Sequence, residues 1–460
     1  MSHPFDAFER KMLAEDLPSV AIETFRHYYA QLVAGERGLL TRDDALPVSS
    51  VPDVAALRGY REAGRAALAK TVVVKLNGGL GTTMGLTKAK SLLPAKDGLT
   101  FLDVAARQVL HLRAAHGVRL PLILMNSFRT RQDSLAALRR HGDLSLDLPP
   151  DFLQHKVPKV RVSDFAPAEW PRDPAHEWCP PGHGDLYTAL WTSGLLDALL
   201  ARGFEHAFVS NSDNLGAVVD LDIVGYFAAE KLPFLMEVCD RSEADRKGGH
   251  LARRKNGTLV LREVAQCPKD ELPLFQDVAL FRYFNTNTLW VDLPTLKRVL
   301  GERRGVLGLP LIANEKPIDP TDETSPRVFQ LETAMGAAIS AFEGARALRV
   351  PRERFIPVKT TNDLLALWSD LYALDADGRL TPAPSRSVGD MVIDLDPGFY
   401  RRLDQLELRF PKGAPSLVAC RRLVVRGDVR FGARCVCRGD VAIEHAGPAP
   451  RVLPDAEVLG

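Results

Sequence analysis

Cysteine is scarce in this chain. Six residues, Cys179, Cys239, Cys267, Cys420, Cys435 and Cys437, are scattered over 460, and only Cys435-x-Cys437 comes close to a pair. Alternating strand positions suit that pair better than a zinc site does. Sparse cysteine of this kind implies a reduced, cytoplasmic protein. Excess charge is missing too. Lys and Arg number 59 against 58 Asp and Glu, so the formal charge is +1 and no field draws nucleic acid or an anionic membrane. No apolar run is long enough to span a bilayer, and the opening "MSHPFDAFERKMLAEDLPSV" carries charges throughout, without an apolar signal core. Nothing resembles a nucleophile–base triad. What is left is an ordinary globular composition, 46% hydrophobic and 25% charged, in a chain long enough for two or three domains.

Residues 1–70 read as a helical segment that packs and covers. Asp16 and Pro18 signal a start, Val20, Thr24, Phe25, Tyr28 and Leu32 follow near helical spacing, and Gly35 ends the run. From Thr71 to about residue 380, strands alternate with helices. "TVVVKL", "RLPLILMNS" and "EHAFVSNSDN" are strands. "FLDVAARQVLHLRAAHG" is a helix capped by Thr100 and stopped by Gly117. "RTRQDSLAALRRHG" is another, and "DLYTALWTSGLLDALLARG" reads as one more. The fold class is α/β, with a mostly parallel sheet flanked by helices, and ligands in such folds sit beyond the carboxyl ends of the strands. Residues 381–460 differ. A Pro/Gly-punctuated link, "TPAPSRSVGDMVIDLDPGFY", leads into "LVVRGDVRFGARCVCRGDVAIEH", where Gly-Asp-Val occurs at Gly427 and again at Gly439. Short apolar steps between glycines suggest a small β-helix, with an ordinary hairpin as the alternative.

"VVVKLNGGLGTTMGLTKAKS" holds the strongest chemical signal. A buried strand runs into a loop with little side chain, which lets backbone N–H groups approach an anion closely. The loop is not a Walker A motif, because Leu86 stands where the lysine after Gly85 should be. It is not a dinucleotide fingerprint either, because Met84 stands where the third glycine should be. A turn that only lets a helix pack on the strand is the plain alternative. Lys88 and Lys90 just downstream argue against it.

"KLNGGLGTTMGLTKAKSLLPAKDGLTFLD" resembles the signature of the eukaryotic-type UTP–glucose-1-phosphate uridylyltransferases, or UDP-glucose pyrophosphorylases, with wording nearest the protozoan-like branch. "PPGHGDLYTAL", "SNSDNLGA", "KGGHLA", "FNTNTLW", "QLETAMGAAI" and "PVKTTNDLL" recur in that family in the same order. The resemblance spans about Thr71 to Asp370, and the family's small C-terminal left-handed β-helix agrees with the repeat. One departure is local: many members read Gly-Pro-Lys where this chain has Lys88-Ala89-Lys90.

The resemblance implies transfer of UMP from UTP to glucose 1-phosphate with release of pyrophosphate. The nucleophile is already a phosphate oxyanion, so placement and charge neutralisation are needed rather than a general base. By resemblance, the backbone at Leu76, Asn77, Gly78 and Gly79 meets uracil and ribose. Lys90 and Lys359 act on the phosphates as the catalytic pair. Gln154 reads a uracil edge, since an amide both donates and accepts, and Gly182 lies near the base. Asn211 and Asp213 stand by the α-phosphate, with Asp213 the ligand for Mg²⁺. His183, Asn211, Gly249, Glu263 and Asn287 form the sugar-phosphate side. Phe284, Trp290, Leu331 and Met335 read as packing, and Asp220 as a helix cap rather than part of a glycosyltransferase D-x-D. UTP and glucose 1-phosphate are the expected partners, with no nucleic acid or membrane. The chain is expected to be a monomer or a homo-oligomer assembled through the β-helix. The runner-up is a related UDP-sugar or UDP-N-acetylhexosamine pyrophosphorylase, the latter usually with Arg where this chain has Thr83. A silent nucleotide-sugar sensor is the reading from another class.

Overall fold

The computed structural model describes residues 5–386, 388 and 391–460. Ser387, Gly389 and Asp390, within the predicted link, and the first four residues lie outside it.

Register, more than any single residue, positions the site. Strand β1 (Thr71–Asn77) is buried along almost its whole length, as expected of a strand covered on both faces. It pairs in parallel with β2 (Leu122–Asn126), which pairs in parallel with β3 (Asp151–Leu153). On its other side β1 pairs in parallel with β4 (His206–Asn211). Asn211 stands opposite Leu76, Asn77 opposite Asn126, and Asn126 opposite Leu153. Four carboxyl ends therefore lie level, and the loops carrying the glycine run, Gln154 and Asp213 leave from one rim.

Beyond β4 the sheet turns antiparallel. β4 and β5 (Phe234–Asp240) both pair with the long β7 (Tyr283–Asp292), which also meets β6 (His250–Arg253). The parallel half thus holds the nucleotide-side loops and the antiparallel half the sugar-side strands. Side chains alternate along β1: Val72 and Val74 join one core, with Leu186, Leu196 and Leu199, while Val73 joins the other, with Leu102, Val109 and Phe227.

Most helices stand where the pattern put them. Thr100 and Asp103 form a capping box for the Phe101–His116 helix, and Gly117, at φ 61°, ends it. Asp220 accepts from the N–H groups of Asp222 and Ile223, which is a cap and not a metal seat. The helix expected over residues 185–203 is in fact two, Leu186–Thr192 and Leu195–Ala201. Gly194, at φ 72°, breaks the helical backbone between them. Near the start, Phe8, Phe25, Tyr29 and Leu32 from two helices, Asp6–Leu13 and Ser19–Val33, cover Val157, Val160 and Leu331. Among the described strands from Val392 onward the pairings are parallel: Ile393 with Leu423, Val424 with Ala442, Val429 with Arg451, Val436 with Val458. Parallel stacking of short successive segments is the β-helix pattern and rules out the hairpin. All six cysteines are free and buried.

Candidate active site

Lys90 and Asp213 meet at the rim. Lys90 Nζ donates to Asp213 Oδ2 at 2.5 Å, and each side chain is 17% exposed. The glycine loop delivers Lys90: its backbone N–H donates to Gly79 O (3.0 Å), closing the loop on itself. The Lys88-Ala89-Lys90 departure costs the loop little. Ala89 is buried, at φ −55° and ψ 132°, the conformation that a proline would impose there. Gly81, at φ 62°, lies against Lys90, and its virtual Cβ would stand 3.3 Å from Lys90 Cγ.

Asp213 sits in the turn after β4, and the chain around Lys359 is stapled to that turn. Asn214 Nδ2 donates to Arg354 O, Asn214 Oδ1 accepts from the Ile356 N–H, and Asp213 O accepts from the Val358 N–H (3.4 Å). Gly216 permits the approach, since a Cβ there would stand 2.3 Å from Glu353 O. Lys359 is exposed, and its Nζ has no hydrogen-bond partner among the described residues. It hangs 6.0 Å from the ring centres of Phe284 and Phe355. Asp363, in the capping box of the next helix, holds the Lys359 backbone N–H.

Gln154, Gly78 and Gly182 come together on the other flank. Gln154 Nε2 donates to Gly182 O (3.0 Å), and a Cβ on Gly78 would lie 2.9 Å from Gln154 Oε1. Gly182, at φ 79°, cannot be replaced freely, because a Cβ would stand 2.4 Å from Thr333 O. His183 Nδ1 accepts from the Met335 N–H (3.0 Å), so the ring proton lies on Nε2. Burial pushes the His183 pKa down to about 4. The imidazole is therefore a neutral donor at pH 7.

On the sugar side a Cβ on Gly249 would strike Glu263 Oε1 at 2.5 Å, and Gly249 O accepts from the Asn285 N–H. Burial raises Glu263 to about 7, against the opposing charge of Lys359. Asn287 lies at φ 54°, where the register of β5 and β7 shifts, and its Oδ1 accepts from Asn285. A bulge of this kind re-aims side chains out of the ladder. The segment from Leu331 to Gly336 joins the two flanks. It holds Gly182 and His183, and a Cβ on Gly336 would meet Asn285.

Asn77 and Asn211, at the carboxyl ends of β1 and β4, differ in how their side chains are held. Asn77 is buried, and its side-chain nitrogen donates to Asn126 and Ser134. Asn211 makes no side-chain hydrogen bond among the described residues. Two features beneath the rim lie outside the sequence reading. Lys75 is buried and donates to Ser210 Oγ (2.7 Å) and Ala217 O (3.0 Å), bracing both ends of the Asp213 turn. Burial, with the nearby Arg354 charge, pushes its pKa down to about 7. Arg354 pairs through two bonds of 2.7 Å with Glu237, which also accepts from Trp290 Nε1. The one signal for Lys75 was a polar residue interrupting a β-branched run.

His183 gives a pH test. Its folded pKa lies below its ordinary value of 6.5, so between the two the unfolded chain binds more protons. Stability present above pH 6.5 is lost as pH falls toward 4. Urea midpoints of wild type and His183→Gln should diverge over that window, the wild type losing more. Parallel curves would show that the ring is not held neutral.

The chain matches the family model described as UTP–glucose-1-phosphate uridylyltransferase over residues 22–438. The protein of that name from Solanum tuberosum is 42% identical over 394 residues, 85% of this chain and 80% of that one. A probable one from Schizosaccharomyces pombe is 39% identical, over 85% of this chain and 76% of its own. Among solved structures, a UDP-glucose pyrophosphorylase variant from Leishmania major in complex with UDP-glucose superposes with a TM-score of 0.93 at 42% identity. The alignment covers 100% of this chain and 98% of that one. UDP-glucose phosphorylase from Trypanosoma brucei gives 0.90 at 44%, with the same coverage. Similar to these proteins over nearly its whole length, the chain belongs to the UTP–glucose-1-phosphate uridylyltransferase family.

Proposed function

We propose that this protein makes UDP-glucose and pyrophosphate from UTP and glucose 1-phosphate, reversibly, at the rim of the parallel strands. The observation that carries the reading is the Lys90–Asp213 pair beside a Lys359 whose ammonium has no hydrogen-bond partner among the described residues. A phosphate oxygen of the sugar forms a bond to the α-phosphorus while the bond to the β-phosphate bridging oxygen breaks. Pyrophosphate leaves, and no proton need be abstracted. Lys90 grips the triphosphate and Lys359 reaches it across the cleft. Asn211 and the neutral Nε2–H of His183 donate to phosphate oxygens. Leu76, Asn77, Gly78 and Gly79 offer backbone to the nucleoside, Gln154 reads the base and Gly182 flanks it. Gly249, Glu263 and Asn287 shape the glucose side. Residues 1–70, 71–380 and 381–460 serve as cover, catalytic domain and left-handed β-helix.

Asp213 is also the proposed ligand for Mg²⁺. Among the described residues no three His, Cys, Asp or Glu side chains converge to cage an ion. One carboxylate at the rim fits a metal that arrives on phosphates and keeps its waters. When bound, Mg²⁺ supplies neutralisation of the charge spread over the triphosphate. Lys90 then exchanges its carboxylate for phosphate oxygens.

Turnover of UTP, glucose 1-phosphate and Mg²⁺ is the test. UDP-glucose should appear with UTP and far more slowly with ATP or GTP, because the Gln154 amide, set against Gly78, is taken to read the edge of uracil. Equal rates with ATP would overturn the uracil reading. A preference for N-acetylhexosamine 1-phosphate would favour the related pyrophosphorylases, and UDP-glucose binding without turnover would favour a sensor.

A further inference from the structure

His155 follows Gln154, and one carboxylate holds it at two points. The His155 backbone N–H donates to Asp185 Oδ2 (2.7 Å), and the ring Nδ1 lies 2.9 Å from Oδ1 and 3.1 Å from Oδ2. The ring Nε2 is 3.0 Å from Thr192 Oγ1. A carboxylate only accepts, so Nδ1 carries a proton. Both side chains are buried, at 9% and 5% exposure. Burial lowers the proton affinity of the ring, but the charge and hydrogen bond of Asp185 more than offset this and hold the His155 pKa above its usual value. Asp185 closes the short helical turn begun by His183. Two stretches of chain, 154–155 and 182–185, are thus joined twice: by Gln154 to Gly182 O and by His155 to Asp185. Behind the pair, Thr24, Tyr28, Thr188 and Thr333 help to line a cavity of about 30 Å³, room for a single water.

We infer that Asp185 and His155 form a clasp that sets the orientation of the Gln154 amide, and with it the choice of uracil over cytosine. The pair is a positioning device, and the inference rests on Gln154 reading the base. A primary amide has two faces that differ by a flip of its C=O and NH₂. Uracil offers an N–H between two carbonyls, and cytosine offers a bare nitrogen beside an amine. One amide orientation suits uracil and the flipped one suits cytosine. Donation to Gly182 O settles which way Gln154 faces, with Oε1 toward Gly78. Thr333 and Met335 hold that turn from one side, and the clamp is what ties it to the chain carrying Gln154. Without the clamp the amide can turn, and both bases find a partner.

The test measures kcat and KM for UTP and CTP in Asp185→Ala, Asp185→Asn, His155→Ala and Gln154→Ala enzymes. Asp185→Ala should lower the UTP/CTP ratio of kcat/KM by about tenfold or more, chiefly through a raised KM for UTP with kcat little changed. Asp185→Asn, which can accept from the His155 backbone N–H and donate to ring Nδ1 in its other tautomer, should retain most of the ratio, whereas His155→Ala, which keeps the backbone half alone, should lose part of it. A merely structural role would reduce both nucleotides by one factor and lower the melting temperature, and an unchanged ratio in Asp185→Ala overturns the clasp. Should Asp185→Ala fail to fold, an unchanged ratio in His155→Ala overturns it instead. Gln154→Ala separates the two levels. A collapsed ratio there with an intact one in Asp185→Ala removes the clasp alone, and an intact ratio in Gln154→Ala removes the base-reading role as well.

Discussion

Lys359→Ala is expected to lower kcat by about 10²–10³-fold, roughly 3–4 kcal/mol of transition-state stabilisation, with a smaller change in the KM for UTP. The backbone around Lys359 is firmly placed: Asn214 and Asp213 hold residues 354 to 358, and Asp363 holds the Lys359 N–H. The side chain is exposed and unbonded among the described residues, near the rings of Phe284 and Phe355. A residue with a fixed stem and a free ammonium gives the folded chain little, so its removal should leave the melting temperature unchanged. In the proposed reaction its value arises as charge grows on the transferring phosphate. A kcat within a few-fold of wild type, together with a lowered melting temperature, would make Lys359 structural.

Asp213→Ala should cost kcat a similar factor, about 10²–10³-fold, and shift the Mg²⁺ dependence to higher concentration. It should not weaken UTP binding measured without metal. In the free enzyme Asp213 occupies Lys90, and deleting the carboxylate frees that ammonium for phosphate. Loss of turnover with retained or tighter metal-free binding is therefore the signature. Lys90→Ala should instead raise the KM for UTP and lower kcat together, because Lys90 grips the ground state as well. Full activity of Asp213→Ala at limiting Mg²⁺ would remove the metal role.

The parallel half of the sheet was legible because its signals are local. Thr100, Asp103 and Gly117 cap one helix within a few positions, and the β-branched run before the glycines can only be a buried strand. The strand ends were legible from strand alternation, and the glycine loop and Asp213 follow two of them, whereas the short strand before Gln154 was not read. The break at Gly194 was missed because leucines on both sides keep a helical pattern across it. The pairing of Arg354 with Glu237, and the reach of Lys75 to Ala217, join residues more than a hundred positions apart and leave no local mark. The bulge at Asn287 was hidden for another reason: the strand pattern of "FNTNTLW" is the same with or without it. Asp185, the partner of His155, lay inside the PPGHGD stretch, but an acidic residue after a glycine turn reads as a helix cap until its partner thirty positions away is seen.

The core near the C-terminus is shared. Met84 of the glycine loop, Phe101 and Val104 of the first sheet-covering helix, and Leu364, Leu365 and Leu367 beside the Lys359 segment lie in one apolar cluster with Leu406, Leu423, Val425 and Phe431. The proposed boundary at residue 380 therefore runs through a shared interior. A protein cut there is not a smaller enzyme with its tail removed. It carries a bare apolar face next to the nucleotide loop, the kind of surface that draws unfolded and partly folded chains together. Natural shortening of this chain from that end is opposed by solubility before it is opposed by catalysis, and fusions or tags are better tolerated beyond the last rung than within the link.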